Sequence, residues 1–343
     1  MIRRLLAAGL TVMLLAACGH RAGGPPTGTT VELTVPEGAS FSTVADTLKS
    51  RGLIRSRGLF SIYGRMRGDD HRIRAGRYSL AVGSSWSDIL DTLVAGRVVT
   101  EAVTIPEGFR LTQIATRLAP IVGEPADSVL AQLSEPGADT LLGVPGPGLE
   151  GYLFPDTYLF APGVDVGTVA RTMVARYHAF WTPKRRARLD SLGMTERQIV
   201  TLASIVQAEA RVVTEMPRIA SVYDNRLHRG MLLEADPTVM YALGGQRERL
   251  LYAAIDSVAD SPYNTYRHRG LPPGPIGAPG EAALEAALHP SGESYLYFVA
   301  RPDGTHVFSR TLAEHNRNVA RYRREQAKER RERRRASSAG HPG

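Results

Sequence analysis

Leu33-Thr34-Val35-Pro36-Glu37-Gly38, Tyr78-Ser79-Leu80-Ala81-Val82-Gly83 and Val103-Thr104-Ile105-Pro106-Glu107-Gly108 repeat one design, a short strand, a turn closed by glycine and then an amphipathic helix. Counting from each glycine, the sixth residue is Val44, Ile89 or Ile114, the seventh is Ala45, Leu90 or Ala115, and the tenth is Leu48, Leu93 or Leu118. Apolar residues at these intervals share one helical face, which must turn inward. A shared register in three places predicts duplicated units in a small α+β module, and their irregular spacing excludes a solenoid. The module is expected over residues 31–142, followed by a larger mixed α/β domain over 143–322. The breaker-rich run Gly143-Val144-Pro145-Gly146-Pro147-Gly148 marks the join.

Upstream of the first unit, Arg3 and Arg4 precede an apolar run, Leu5 to Ala17, that is too short to span a bilayer comfortably. Leu15-Ala16-Ala17-Cys18 resembles the lipobox of bacterial lipoproteins, which implies a signal peptide over 1–17 and a lipid on the Cys18 thiol. A membrane helix retained at the N-terminus and an ordinary cleaved signal are the alternatives, and all three export the bulk of the chain. Residues 18–30, rich in Gly, Pro and Thr, are expected to form a flexible tether. Cys18 is the single cysteine, so an internal disulfide and a cysteine-based metal site are both excluded.

The net charge of +8 is concentrated at one end. Between Arg321 and Arg335 lie nine Arg or Lys and three Glu, which leaves the body of the chain nearly neutral. Residues 323–343 therefore read as a non-catalytic basic tail, a solvated helix end or a disordered extension open to anionic lipid or polymer. A nearly neutral exported body is a poor binder of nucleic acid.

In the second domain, Thr195-Glu196-Arg197-Gln198 has the spacing of a capping box and starts a helix that ends near Glu209. Leu202, Ile205, Val206 and Glu209 fall on one face of it. A carboxyl group on an apolar face loses hydration, holds its proton to higher pH and is suited to general-acid work. A buried partner for an arginine has the same pattern. Further helices are expected from Val164 to Trp181, from about Pro217 to His228 and from Glu281 to Leu288. Tyr295 to Val299 and His306 to Phe308 are expected to pair around Asp303-Gly304.

The nine histidines show no ligating interval, there is no cysteine cluster, and neither a phosphate-binding loop nor a Gly-x-Ser-x-Gly elbow occurs. No cofactor or metal is expected, and carboxylate chemistry remains. Glu150, Asn225, Asp236, Tyr241, Tyr263, Asn264 and Tyr266 are the candidate substrate contacts. Aromatic faces pack on pyranose rings while Asn, Asp and Tyr hydrogen-bond sugar hydroxyls, although tyrosines serve equally well as core. The loop Arg269 to Gly280, with four prolines, suits a fixed cleft wall or a purely structural brace.

The strand, Pro-Glu-Gly and helix units resemble the LysM-like part of cell-wall enzymes. Ala203-Ser204-Ile205-Val206-Gln207-Ala208-Glu209, Ala220 to Leu227, Asp236-Pro237-Thr238-Val239-Met240-Tyr241, Tyr263-Asn264-Thr265-Tyr266, Gly270 to Ile276 and Ala287-Leu288-His289-Pro290 together resemble the endolytic murein transglycosylases. The resemblance implies that Glu209 is catalytic and that the β-1,4 bond between N-acetylmuramic acid and N-acetylglucosamine is cut within a nascent peptidoglycan strand. It also implies that the sugar's own 6-hydroxyl is the nucleophile, leaving a 1,6-anhydromuramoyl end. One acid then suffices where a glycoside hydrolase needs two, and the chain shows no obvious second one. Glycan strands and peptidoglycan synthases are the implied partners, and the cell envelope outside the cytoplasm is the implied location. Many family members carry an acid where Gln207 stands, so Gln207 is not expected to be essential. The competing functions are a non-catalytic peptidoglycan-binding lipoprotein and a glycosidase that uses water.

Overall fold

The chain begins with β1 (Thr30–Val35), α1 (Phe41–Ser50), α2 (Arg57–Arg67), β2 (Gly76–Ala81) and α3 (Trp86–Ala95). This computed structural model describes residues 28–245, 252–301 and 303–339, so the expected signal peptide, Cys18 and most of the tether lie outside the described residues. Thr30, expected at the tether's end, already belongs to β1. Among the described residues no helix is long and apolar enough to cross a membrane.

Contacts divide the chain into two units. One comprises the residues up to Ala102 with Leu159–Gly163, and the other comprises Val103–Tyr158 with the chain from Val164 onward. In the first unit β1 and β2 pair antiparallel from Thr30 opposite Ala81 to Val35 opposite Gly76. Leu33, Val35, Tyr78 and Leu80 face a core completed by Val44, Ala45, Leu48, Phe60, Ile89, Leu90 and Leu93. The Tyr78 hydroxyl, buried there, donates to the Arg74 carbonyl at 2.7 Å. Ser40 and Ser85 cap α1 and α3, each accepting from a backbone N–H three residues on.

β3 (Glu101–Thr104) and α4 (Leu111–Val122) form the third repeat. Ile114, Ala115 and Leu118 are buried like their counterparts, so all nine repeat positions face inward. The apolar face of α4 packs on α5 (Ala126–Leu133), which in turn meets a helix further along. The third repeat therefore belongs with the second unit, and the boundary expected at 142/143 falls inside that unit. The physical reason is that a helix is assigned by what its buried face meets, and α4 meets α5.

After α6 (Ala138–Leu142) and the glycine-proline run comes β4 (Thr157–Phe160), paired with β3. Then follow α7 (Val166–Phe180), α8 (Pro183–Leu192), α9 (Glu196–Glu209), a 3-10 turn, α10 (Met216–His228), α11 (Asp236–Ala242), α12 (Tyr252–Asp256) and α13 (Glu281–Leu288). α9 is the hub, packing on α10, α11 and α13, and every residue from Ile199 to Val206 is buried. β5 (Tyr297–Ala300) and β6 (His306–Ser309) form the expected antiparallel hairpin.

α14 (Leu312–Ala339) packs its first turns on that hairpin and buries Tyr322. It then continues through the expected basic tail, which takes the helix-end form of the two alternatives and is helical to Ala339. Its Arg, Lys, Glu, Gln and Ala are strong helix formers, and no Gly or Pro interrupts them. The architecture is mixed α+β, with helices carrying most of the core.

Candidate active site

α9 presents Glu209. Thr195 accepts from the Gln198 N–H at 3.2 Å, and Gln198 Oε1 accepts from the Thr195 N–H at 2.8 Å, so both partners of the capping box are in place. Glu209 is the last residue of the helix and is half-buried. Tyr223 of α10, 2% exposed, donates its hydroxyl hydrogen bond to Glu209 Oε1 at 3.0 Å. Burial pushes the Glu209 carboxyl up to about 7, against the Tyr223 hydrogen bond and with help from the negative charge of Asp236. The negative end of the helix dipole acts in the same upward direction. Glu209 therefore holds its proton at a pH where an ordinary glutamate has lost it.

A cavity of about 330 Å³ opens at Glu209, lined by Tyr223, Arg226, Leu233, Glu234, Asp236, Tyr266, Phe298 and His315. Tyr266 donates a short hydrogen bond to Asp236 Oδ1, joining two of the expected contacts on the cavity wall. Tyr241 and Tyr263 come together elsewhere, with ring centroids 4.8 Å apart. Tyr241 reaches Glu150 Oε2 at 3.4 Å, and both Glu150 oxygens accept from the Leu111 N–H, at 3.0 and 3.2 Å. Burial raises Glu150 to about 7, outweighing the Leu111 and Tyr241 hydrogen bonds and the Arg110 charge. A second acid with a raised pKa is thus present, at the start of α4 and away from the Glu209 cavity lining.

Two expected contacts have other employment. The Asn225 amide donates to the carbonyls of Glu293 and Tyr295, at 2.7 and 2.9 Å, and ties α10 to the segment before β5. Asn264 has no exposed surface. Its amide donates to the Ile255 and Val258 carbonyls at 2.9 and 3.1 Å, and its oxygen accepts from the Tyr266 N–H at 3.1 Å. Asn264, fully buried with its amide and its oxygen both engaged inside the protein, is held as a structural residue, whereas Asn225 is half-buried and only its amide nitrogen is engaged.

The proline-rich loop is braced from both sides. Ile276 N–H donates to Ser204 Oγ at 3.1 Å, and Gly280 N–H donates to Gln207 Oε1 at 3.0 Å. Gly108 N–H donates to the Ala278 carbonyl at 2.6 Å, and Ala278 N–H donates to the Phe109 carbonyl at 2.8 Å. Gly277 is required here, since a Cβ on it would lie 2.8 Å from the Gly108 carbonyl oxygen. Among the described residues no group of three or more His, Cys, Asp or Glu side chains comes together that could hold a metal ion.

The YceG-like family matches residues 33–321, most of the chain and both units. The chain belongs to the YceG-like family. It is 35% identical over 311 residues to a Bacillus subtilis protein named endolytic murein transglycosylase, covering 86% of this chain and 85% of that one. A Streptococcus pneumoniae protein of the same name is 30% identical over 322 residues, which is 85% of this chain and 58% of the relative. A crystal structure of a YceG-like protein from Listeria monocytogenes, 34% identical, covers 84% of this chain and 99% of its own with a TM-score of 0.58.

Within this YceG-like site, Tyr223, Arg226, Glu234 and His315 are additions that the sequence does not announce. Tyr223 lies on the buried face of α10, and only its hydroxyl contact with Glu209 distinguishes it from a core tyrosine. Arg226, 7% exposed, donates to the carbonyls of Leu296 and Leu233 at 2.7 and 2.8 Å and to Glu234 at 3.1 Å. Glu234 has φ of +50°, a left-handed conformation uncommon outside glycine, which places residues 232–234 around the Arg226 head. His315 comes from α14, 106 positions beyond Glu209 in the chain.

Proposed function

We propose that this chain is an endolytic murein transglycosylase that cuts peptidoglycan glycan strands outside the cytoplasm. The observation that carries the proposal is Glu209, a proton-holding carboxyl set beside a sugar-sized polar cavity in a chain whose relatives bear that name. Glu209 donates its proton to the glycosidic oxygen between N-acetylmuramic acid and N-acetylglucosamine, and the bond from the muramoyl C1 to that oxygen breaks. The resulting carboxylate takes the proton of the muramoyl 6-hydroxyl as its oxygen bonds to C1, closing the 1,6-anhydro ring and restoring the acid. No water is consumed, and the attack is intramolecular, which lowers its entropic cost. Asp236 and the Tyr266 hydroxyl face the same cavity and are suited to hold sugar hydroxyls.

The N-terminal unit is read as a LysM-like wall-binding module. What supports this reading is the strand, turn and helix unit itself, with the apolar helix faces packed inward on the β1–β2 pair. Attachment to the membrane through a lipid on Cys18, and a role beside peptidoglycan synthases, complete the reading. Mass analysis of products from uncrosslinked glycan tests the reaction. The wild-type chain is expected to release fragments with 1,6-anhydro ends, and Glu209→Gln none. Reducing ends in place of anhydro ends would mean that water attacks, with Asp236 or Glu234 as the second carboxylate. Binding without any new ends would mean a non-catalytic wall protein.

A further inference from the structure

A second cavity, about 400 Å³, lies against the last turn of α9 and is lined by Glu107, Arg110, Gln113, Gln207, Pro237 and Met240, among others. Its lining shares chain neighbours with the Glu209 cavity. Ala208 lines the second cavity and Glu209 the first, while Pro237 lines the second and Asp236 the first. A polymer held at Glu209 thus has a second polar recess within a sugar or two of the scissile bond.

Arg110 is the distinctive group in that recess. It is half-buried, and its guanidinium carbon sits 5.2 Å from the centre of the Tyr241 ring. Among the described residues its side chain finds no hydrogen-bond acceptor and no ion-pair partner, although its own backbone N–H donates to Gln113 Oε1 at 3.0 Å. Glu150 is the charge that supports it, but both Glu150 oxygens already accept from the Leu111 N–H. Removal from water lowers the Arg110 pKa, the mark of a charge only partly compensated. An Arg held by its face on an aromatic ring keeps the N–H groups at its edge for a planar acceptor with two oxygens.

We propose that Arg110 recognises a carboxylate of the glycan strand in this second cavity and thereby selects muramoyl-bearing strands over neutral polymers of N-acetylglucosamine. The inference rests on the murein reading above. In such a strand the carboxylates belong to the muramoyl units, either on the lactyl group or on the stem peptide attached to it. N-acetylglucosamine carries none.

The test uses the full chain with Glu209→Gln, so that ligands survive, with and without Arg110→Gln. Calorimetric titration would compare three oligosaccharides of equal length: a peptide-bearing murein strand, a murein strand freed of peptides and so bearing lactyl carboxylates, and a chito-oligosaccharide. Loss of a charge-assisted contact should weaken the carboxylated ligands roughly tenfold or more while chito-oligosaccharide affinity stays within about twofold. Arg110→Lys should recover part of the loss, and the salt dependence of binding should flatten in Arg110→Gln. A loss confined to the peptide-free strand assigns the lactyl carboxylate, and one confined to the peptide-bearing strand assigns the stem peptide. Equal weakening of all three ligands, or of none, overturns the inference. So does absence of binding by the Glu209→Gln chain itself, whereas the murein reading stands or falls separately on the anhydro products of the wild type.

Discussion

Replacing Tyr223 by Phe removes one hydroxyl and keeps the ring that packs at 5.9 Å on Phe298. The hydroxyl donates the one hydrogen bond that opposes burial at Glu209, whose carboxyl stands at about 7. A hydrogen bond to a charged group contributes about 1.5 kcal/mol or somewhat more, and about 1.4 kcal/mol corresponds to one pH unit. Without it the carboxylate is less favoured, so the Glu209 pKa should rise by about one unit. As general acid, Glu209 must begin the cycle protonated, and kcat/KM should therefore fall with rising pH through the pKa of the free enzyme. For the wild type the ratio of activity at pH 8 to that at pH 6 should be about 0.1, and for Tyr223→Phe about 0.5, whatever absolute rate the variant keeps. The assay is the pH profile of anhydro-end release from uncrosslinked glycan at low substrate. A descending limb that stays where it was, or moves to lower pH, would refute the assignment of Tyr223 as the group that tunes Glu209.

Stability should report the same proton. Glu209 is raised in the folded state, so its ionisation costs nothing below the unfolded value of 4.5 and is felt progressively as pH rises toward about 7. Glu209→Gln should therefore melt higher than wild type at pH 8, by an amount on the order of 2–3 kcal/mol, and show no such gain near pH 4.5. A Tm difference independent of pH would contradict this. Glu150→Gln keeps an oxygen for the Leu111 N–H and should fold normally, whereas Glu150→Ala leaves that N–H unpaired and should cost about 1–3 kcal/mol in urea unfolding. Arg226→Met strands the carbonyls of Leu233 and Leu296, while the exposed Glu234 carboxylate turns to water, so the cost should come mainly from the unpaired carbonyls, about 1–3 kcal/mol, read as a lower urea midpoint.

Much of the local structure is legible in the chain. The nine repeat positions from Val44 to Leu118 are all buried because helical period alone fixes which residues share a face. The Thr195 cap, α13 and the β5–β6 hairpin follow from capping and turn chemistry within a few residues. At the basic end the sequence left a solvated helix end and a disordered extension both open, since charge density favours disorder while the helix propensity of its Arg, Lys, Glu and Ala favours the helix seen to Ala339.

The site is less legible, for a specific reason. Asn225 and Tyr223 sit two residues apart on α10, and composition favours the asparagine as the sugar contact. The fold turns the asparagine to the Glu293 and Tyr295 carbonyls, about 70 residues away, and the tyrosine to Glu209. Glu150 likewise meets Leu111 and Tyr241, which are 39 and 91 positions distant. Such pairings depend on how helices pack, and no local pattern encodes them.

The sequence by itself determined the repeats, the main helices and the placing of Glu209 at the end of an apolar stripe, since these depend on short-range period and capping. It allowed Glu209 to be either an arginine's partner or an acid. The tertiary structure supplies what favours the acid: Arg226 is bound to Glu234 and backbone carbonyls, leaving Glu209 with Tyr223, the Asp236 charge and too little water to ionise readily. Burial and charge at a single carboxyl are sums over neighbours from the whole chain, and the fold alone assembles them.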